Sequence, residues 1–133
     1  MNRIFPLADL QLLLVRVGVG LAFLPQAAPK LFSGMEVRGA LAQRLAALGI
    51  PHAMQLIVVA GIIEFALGLM MTLGCGTRLA AIAGALYVGA SGHLLAQPHA
   101  YLWAVVCASF AIAGGGPWSV DGWLKVGPPN TPA

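Results

Sequence analysis

Residues 51–73 read PHAMQLIVVAGIIEFALGLMMTL, and the single carboxylate inside this apolar run decides how the whole chain is read. A helix needs about 20 apolar residues to cross a hydrocarbon core of roughly 30 Å. The run therefore predicts a transmembrane helix, ended by the Gly74 and Gly76 pair. Glu64 then lies deep within it, nine residues before Leu73, or ~14 Å from that end. An ion at the bilayer centre costs about 2.5 to 3.5 kcal/mol even on the lenient insertion scale. A partner for Glu64 is therefore expected elsewhere in the chain.

Three more apolar stretches surround this one. The first runs from about Leu7 to Leu24 and stops or kinks at Pro25, with Pro29 behind it. Another starts near Thr77, which can cap it, and reaches Ala96 before Pro98. The last, from about Pro98 to Ala113, dissolves into Gly114, Gly115, Gly116 and Pro117, where the chain is expected to fold back with Asp121 solvated or capping a short turn. Of the 133 residues, 59% are hydrophobic and 8% charged, and the mean hydropathy is +0.88. Soluble domains carry roughly a quarter charged side chains, so a water-soluble monomer is excluded. A net charge of +3 with no basic run speaks against nucleic acid as a partner. Arg16 interrupts the first apolar run and the chain stays apolar after it, unlike a signal peptide followed by a polar domain, so it is read as mature from residue 1.

A segment of different character joins the first two crossings. Ser33 and Glu36 have the spacing of a capping box, and Val37, Leu41, Leu45 and Leu48 fall on one helical face until Gly49 and Pro51 end the pattern. The expected fold class is all-α: an integral membrane four-helix bundle with a short amphipathic interfacial helix, from about Gly34 to Leu48, between helices 1 and 2. It forms a single domain over residues 1–126 with a flexible tail from Gly127 to Ala133. Four crossings put both termini on one side, called side A, with Arg3, Arg78 and Lys125; side B holds Lys30, Arg38 and Arg44. The positive-inside count is tied, and the free α-amino group leans toward a cytoplasmic side A.

Counting depth from the helix ends places Arg16 at the level of Glu64, and Tyr87, ten residues into the third helix, near both. Gly20, Gly61, Gly68, Gly84 and Ser91 stand at helical spacings around them, so these three side chains are expected to meet inside the bundle. Two readings of the cluster stay open: a salt bridge that sets helix register, or an ionisable site for a quinone headgroup, a proton or a small polar solute. Lys30, Arg78 and His93 form a second tier. His52, His93 and His99 cluster at most at one rim, and neither they nor Cys75 and Cys107 show metal or haem spacing. No metal site is expected. No Ser-His-Asp set, phosphate loop or carboxylate pair is present in the sequence either, so catalysis by the isolated chain is not expected.

Three stretches make the chain similar to a known family. Arg16 is followed by Gly18, Gly20, Phe23, Leu24, Lys30 and Leu31. Glu64-Phe65-Ala66-Leu67-Gly68 is followed by Leu73-Gly74 and Thr77-Arg78-Leu79-Ala80-Ala81. Gly116-Pro117-Trp118-Ser119-Val120-Asp121 lies beyond the last helix. In this order the chain resembles the DoxX-like integral membrane proteins from about Leu10 to Leu124. It departs from them at Gln26, Ala27, Ala28 and Pro29, where members often carry a His-Gly pair.

The resemblance implies a multi-pass protein of the bacterial or archaeal inner membrane, associated with quinone-linked redox chemistry. The family takes its name from subunits of a thiosulfate:quinone oxidoreductase, and other members are linked to oxidative or thiol stress. The leading expectation is an accessory or anchor subunit of a redox system that binds a quinone at Arg16, Glu64 and Tyr87. The alternatives are a carrier or channel for a small solute or proton, and a structural subunit of a larger complex. Expected partners are the lipid bilayer and other membrane subunits or a second copy of the chain.

Overall fold

A computed structural model describes residues 7–125, and the expected tail beyond Gly127 lies outside them. Six helices follow in order: α1 (Leu7–Leu31), α2 (Met35–Ala47), α3 (Ala53–Leu73), α4 (Thr77–Leu94), α5 (His99–Ala113) and α6 (Val120–Lys125). Among the described residues all regular structure is helical.

The expected break at Pro25 does not occur, and α1 runs on through Pro25 and Pro29 to Leu31. Proline removes a backbone donor and crowds the carbonyl four residues back. In apolar surroundings, unwinding the helix would leave more backbone groups unpaired than the two prolines do. The capping box is also not made. Gly34 is the N-cap of α2 without any side-chain cap, and Arg38 Nε instead donates to the Ser33 carbonyl at 3.0 Å. Leu41 and Leu45 are half-buried while Val37 and Leu48 stay exposed. The helix thus rests on α3 and α1 without burying any residue.

Thr77 does not cap α4. Its Oγ1 has no hydrogen-bond partner, and the cap comes from across the molecule: Gly76 N and Thr77 N both donate to the Asp121 carboxylate, each at 2.7 Å. A negative group suits a helix N-terminus on both hydrogen-bond and dipole grounds.

Packing divides the bundle into two antiparallel hairpins, α1 with α3 and α4 with α5, joined across α3 and α4. The core draws evenly on the four long helices: Val19 and Phe23, Leu67 and Met71, Ala80 and Ala81, Cys107 and Phe110. Glycines set how closely α1 and α3 approach. A Cβ on Gly20 would lie 2.6 Å from Thr72 N and 2.8 Å from Gly68 O, against backbone that cannot move aside alone. Gly20→Ala is expected to destabilise the protein by about 1–3 kcal/mol. Gly18→Ala, whose methyl meets nothing within 4 Å, should leave the thermal midpoint in detergent unchanged or slightly higher. Equal midpoints for the two variants would contradict this packing.

Among the described residues two helices, α1 and α3, are long and apolar enough to cross a membrane; α5 is apolar but shorter, at 15 residues. Only 22% of the apolar stretch in α1 and 33% of that in α3 is buried inside the protein. Val59, Ile62 and Leu69 of α3 face outward, as do Leu14 and Leu21 of α1. A core helix of a soluble protein would cover such side chains.

Candidate functional site

The register between α1 and α3 decides which charges meet. Gly20 faces Gly68 and Thr72, and Lys30 lies against Gly61. Arg16 therefore falls opposite Gly74, where an added Cβ would come within 2.6 Å of its Nη1. Gly74 is ten residues beyond Glu64, or ~15 Å along the helix. The expected meeting of Arg16 with Glu64 and Tyr87 does not form. Depth counted from the helix ends assumed that the two helices end flush, whereas α1 is shifted by about ten residues, nearly three turns, past the C-terminal end of α3.

Glu64 finds its cation in Lys30 instead. The Lys30 ammonium donates to Glu64 Oε1 in an ion pair, and the Tyr87 hydroxyl donates to the same oxygen at 2.6 Å. Glu64 is 3% exposed. Its second oxygen, Oε2, is buried with no hydrogen-bond partner. Three elements build this cluster: the last turn of α1, the middle of α3 and the middle of α4. Lys30 reaches it because α1 continues past Pro25, and its stem runs along the Cβ-free surface of Gly61.

A cavity of about 60 Å³ opens beside the cluster. Glu64, Tyr87 and Ser91 contribute polar walls, while Val19, Phe23 and Ala100 contribute apolar ones. Gln26, Gln97, His99 and Trp103 also line it, and these four are exposed, so they mark its mouth. Sequence reasoning missed this group. One of its members carried a signal, since Gln26 lies one turn before Lys30, and Ser91 stands one turn after Tyr87, among the residues expected around the cluster. Tyr87 and Glu64 are brought together as expected, and Lys30 rises from the second tier to the centre.

The other second-tier residues stand elsewhere. His93 Nδ1 lies 3.3 Å from the Tyr101 hydroxyl at an exposed position and does not line the cavity. Arg78 is exposed at the opposite end of the bundle, beside Gly114.

Arg16 serves a different part of the protein. At 1% exposure, its guanidinium donates to the carbonyl of Gly115 and, at 3.0 Å, to that of Trp118. It thereby holds the Gly114–Ser119 turn, and it is attracted to Asp121 just beyond that turn. Gly114 and Gly116 both take a φ of +75° in this turn, a left-handed backbone that favours glycine. Ser119 ties it further, its hydroxyl donating to Gly116 O at 2.6 Å and accepting from Gly122 N at 2.9 Å. The start of α1 thus lies beside the end of α5.

A family model described as DoxX matches residues 11–94. The chain belongs to the DoxX family. The matched region takes in α1 through α4 and with them Lys30, Glu64 and Tyr87, while the carbonyls that Arg16 holds lie beyond it. No curated protein and no solved structure matches the chain significantly. Membership in the DoxX family, with two apolar helices whose surfaces face outward, makes this a small membrane protein.

Proposed function

We propose that this DoxX protein is a multi-pass accessory subunit of a quinone-linked redox system in the bacterial inner membrane. In this reading the two hairpins form a four-helix membrane bundle, α2 lies at the interface, and the Lys30–Glu64–Tyr87 cluster holds the polar edge of a quinone head. The observation that carries it is the pairing of a buried, incompletely bonded carboxylate with an adjoining cavity, in a protein whose surroundings are otherwise apolar. Buried ionisable groups of this kind are expensive in a bilayer and mark sites of ligand or proton handling. Trp103 at the mouth offers a flat face against which a ring can lie.

The cavity's size bears on how a quinone fits. At about 10–15 Å³ of such space for one water, 60 Å³ is room for several waters but not for a whole quinone ring, so the head enters by one edge while its ring rests between the mouth residues. A photoreactive azidoquinone should label peptides containing Gln26 or Gln97–Trp103, and excess unlabelled quinone should suppress that labelling. Label confined to the Arg16 end of the bundle would refute the assignment.

The same size supports a second reading, a proton or small-solute carrier in which a short water chain reaches Glu64. Gentle purification separates the two: a co-purifying redox subunit supports the first. A lone oligomer that conducts protons in liposomes and loses conductance on Glu64→Gln supports the second.

A further inference from the structure

We infer that the cavity selects the reduced, hydroxyl-bearing form of its quinone over the oxidised form, an inference that rests on the quinone reading of that cavity. The argument comes from counting which polar atoms at the inner end still have hydrogens to give. Glu64, ion-paired with Lys30, is a carboxylate and can only accept. The Tyr87 hydroxyl has committed its hydrogen to Glu64 Oε1, so its oxygen can only accept from a ligand. The Ser91 hydroxyl has committed its own to the Val88 carbonyl at 3.1 Å, with the same consequence. Lys30, the one cation of the cluster, does not line the cavity.

The inner wall therefore presents acceptors from three different side chains, one of them a carboxylate. An oxidised quinone presents only carbonyl oxygens to such a wall, and acceptor facing acceptor is repulsive. A quinol presents O–H groups and can donate to the spare lone pairs of Tyr87 and Ser91, or to the Glu64 carboxylate where it meets the cavity. The amide, imidazole and indole groups of Gln26, Gln97, His99 and Trp103 can still donate, but they stand at the exposed mouth, where water competes for them. A hydrogen bond to a charged acceptor is among the stronger ones, and its gain or loss shifts affinity by ~10-fold or more.

The test is anaerobic titration calorimetry on the full chain in lipid nanodiscs, with empty discs subtracted, using three short-tailed ligands of the same ring: the quinone, the quinol and the O-methylated quinol. The expected result is quinol binding ~10-fold or more tighter than either of the others. The methylated compound should resemble the quinone because it keeps the ring but has no hydrogen to donate. Glu64→Gln, which places an N–H donor where the carboxylate had none, should narrow the preference or reverse it. Should that variant fail to fold, the wild-type comparison still decides. Quinone binding as tightly as quinol, or methylation without effect, overturns the selectivity and leaves the quinone site standing. Binding of none of the three overturns both.

Discussion

Replacing Lys30 with Met should destabilise the protein by about 3–5 kcal/mol, the range seen when one partner of a buried ion pair is removed. The variant strands Glu64, which is 3% exposed and already has one oxygen without a partner. What remains is a single hydrogen bond from Tyr87. The converse change should be milder. In Glu64→Leu the orphaned group is Lys30, whose side chain is 19% exposed and sits in the last turn of α1. A lysine there can turn its ammonium toward water or headgroups along a four-carbon stem. Pairing Lys30→Met with Glu64→Leu should recover most of the loss, because no buried charge is left behind. Unfolding midpoints of the two single variants and the double variant in one detergent measure the cycle. Glu64→Leu proving as damaging as Lys30→Met, or additive effects, would mean that the ion pair does not carry the cost assigned to it.

The sequence made the elements legible and left their relative heights hidden. Residues 53–73 form α3 inside the stretch expected to cross, and α2 occupies Met35–Ala47 within the amphipathic segment. Periodicity and terminators act locally, within one helix, so they can be read from one segment at a time. Height is a property of two helices together. It is set here by Gly20 against Gly68 and Gly61 against Lys30, contacts between residues some 30 to 50 positions apart in the chain. Glycine spacing told that the backbones approach closely but not which glycine faces which. Lys30 looked like a loop cation because Pro25 and Pro29 looked like a stop. Once α1 is known to continue, Lys30 comes within reach of α3 and displaces Arg16 as the partner of Glu64. The distant capping of α4 by Asp121 was out of reach for the same reason, since the two lie more than 40 residues apart.

Arg16 carries the other large expected effect, and it tests the register directly. Arg16→Met removes both guanidinium donors of the Gly114–Ser119 turn. The Gly115 carbonyl, on a buried residue, loses its arginine bond, and the Trp118 carbonyl loses another. At about 1–3 kcal/mol for the buried Gly115 carbonyl and about 0.5–1.5 kcal/mol for the part-buried bond to Trp118, the loss should reach about 2–4 kcal/mol. Arg16→Lys should recover less than half of it, because an ammonium is a point donor and cannot span two carbonyls as the guanidinium fork does. The damage should also be local. Amide exchange should quicken over Gly114–Trp123 and at Gly76 and Thr77, whose cap depends on Asp121 being held in place, while the amides of α3 around Glu64 keep their protection. Because Arg16 stands ~15 Å from Glu64 along the bundle, Arg16→Met combined with Glu64→Leu should be additive within ~0.5 kcal/mol. A coupling well above that would bring Arg16 back beside Glu64, and with it a sliding of α1 by about ten residues that the contacts at Gly20 and Gly68 do not allow.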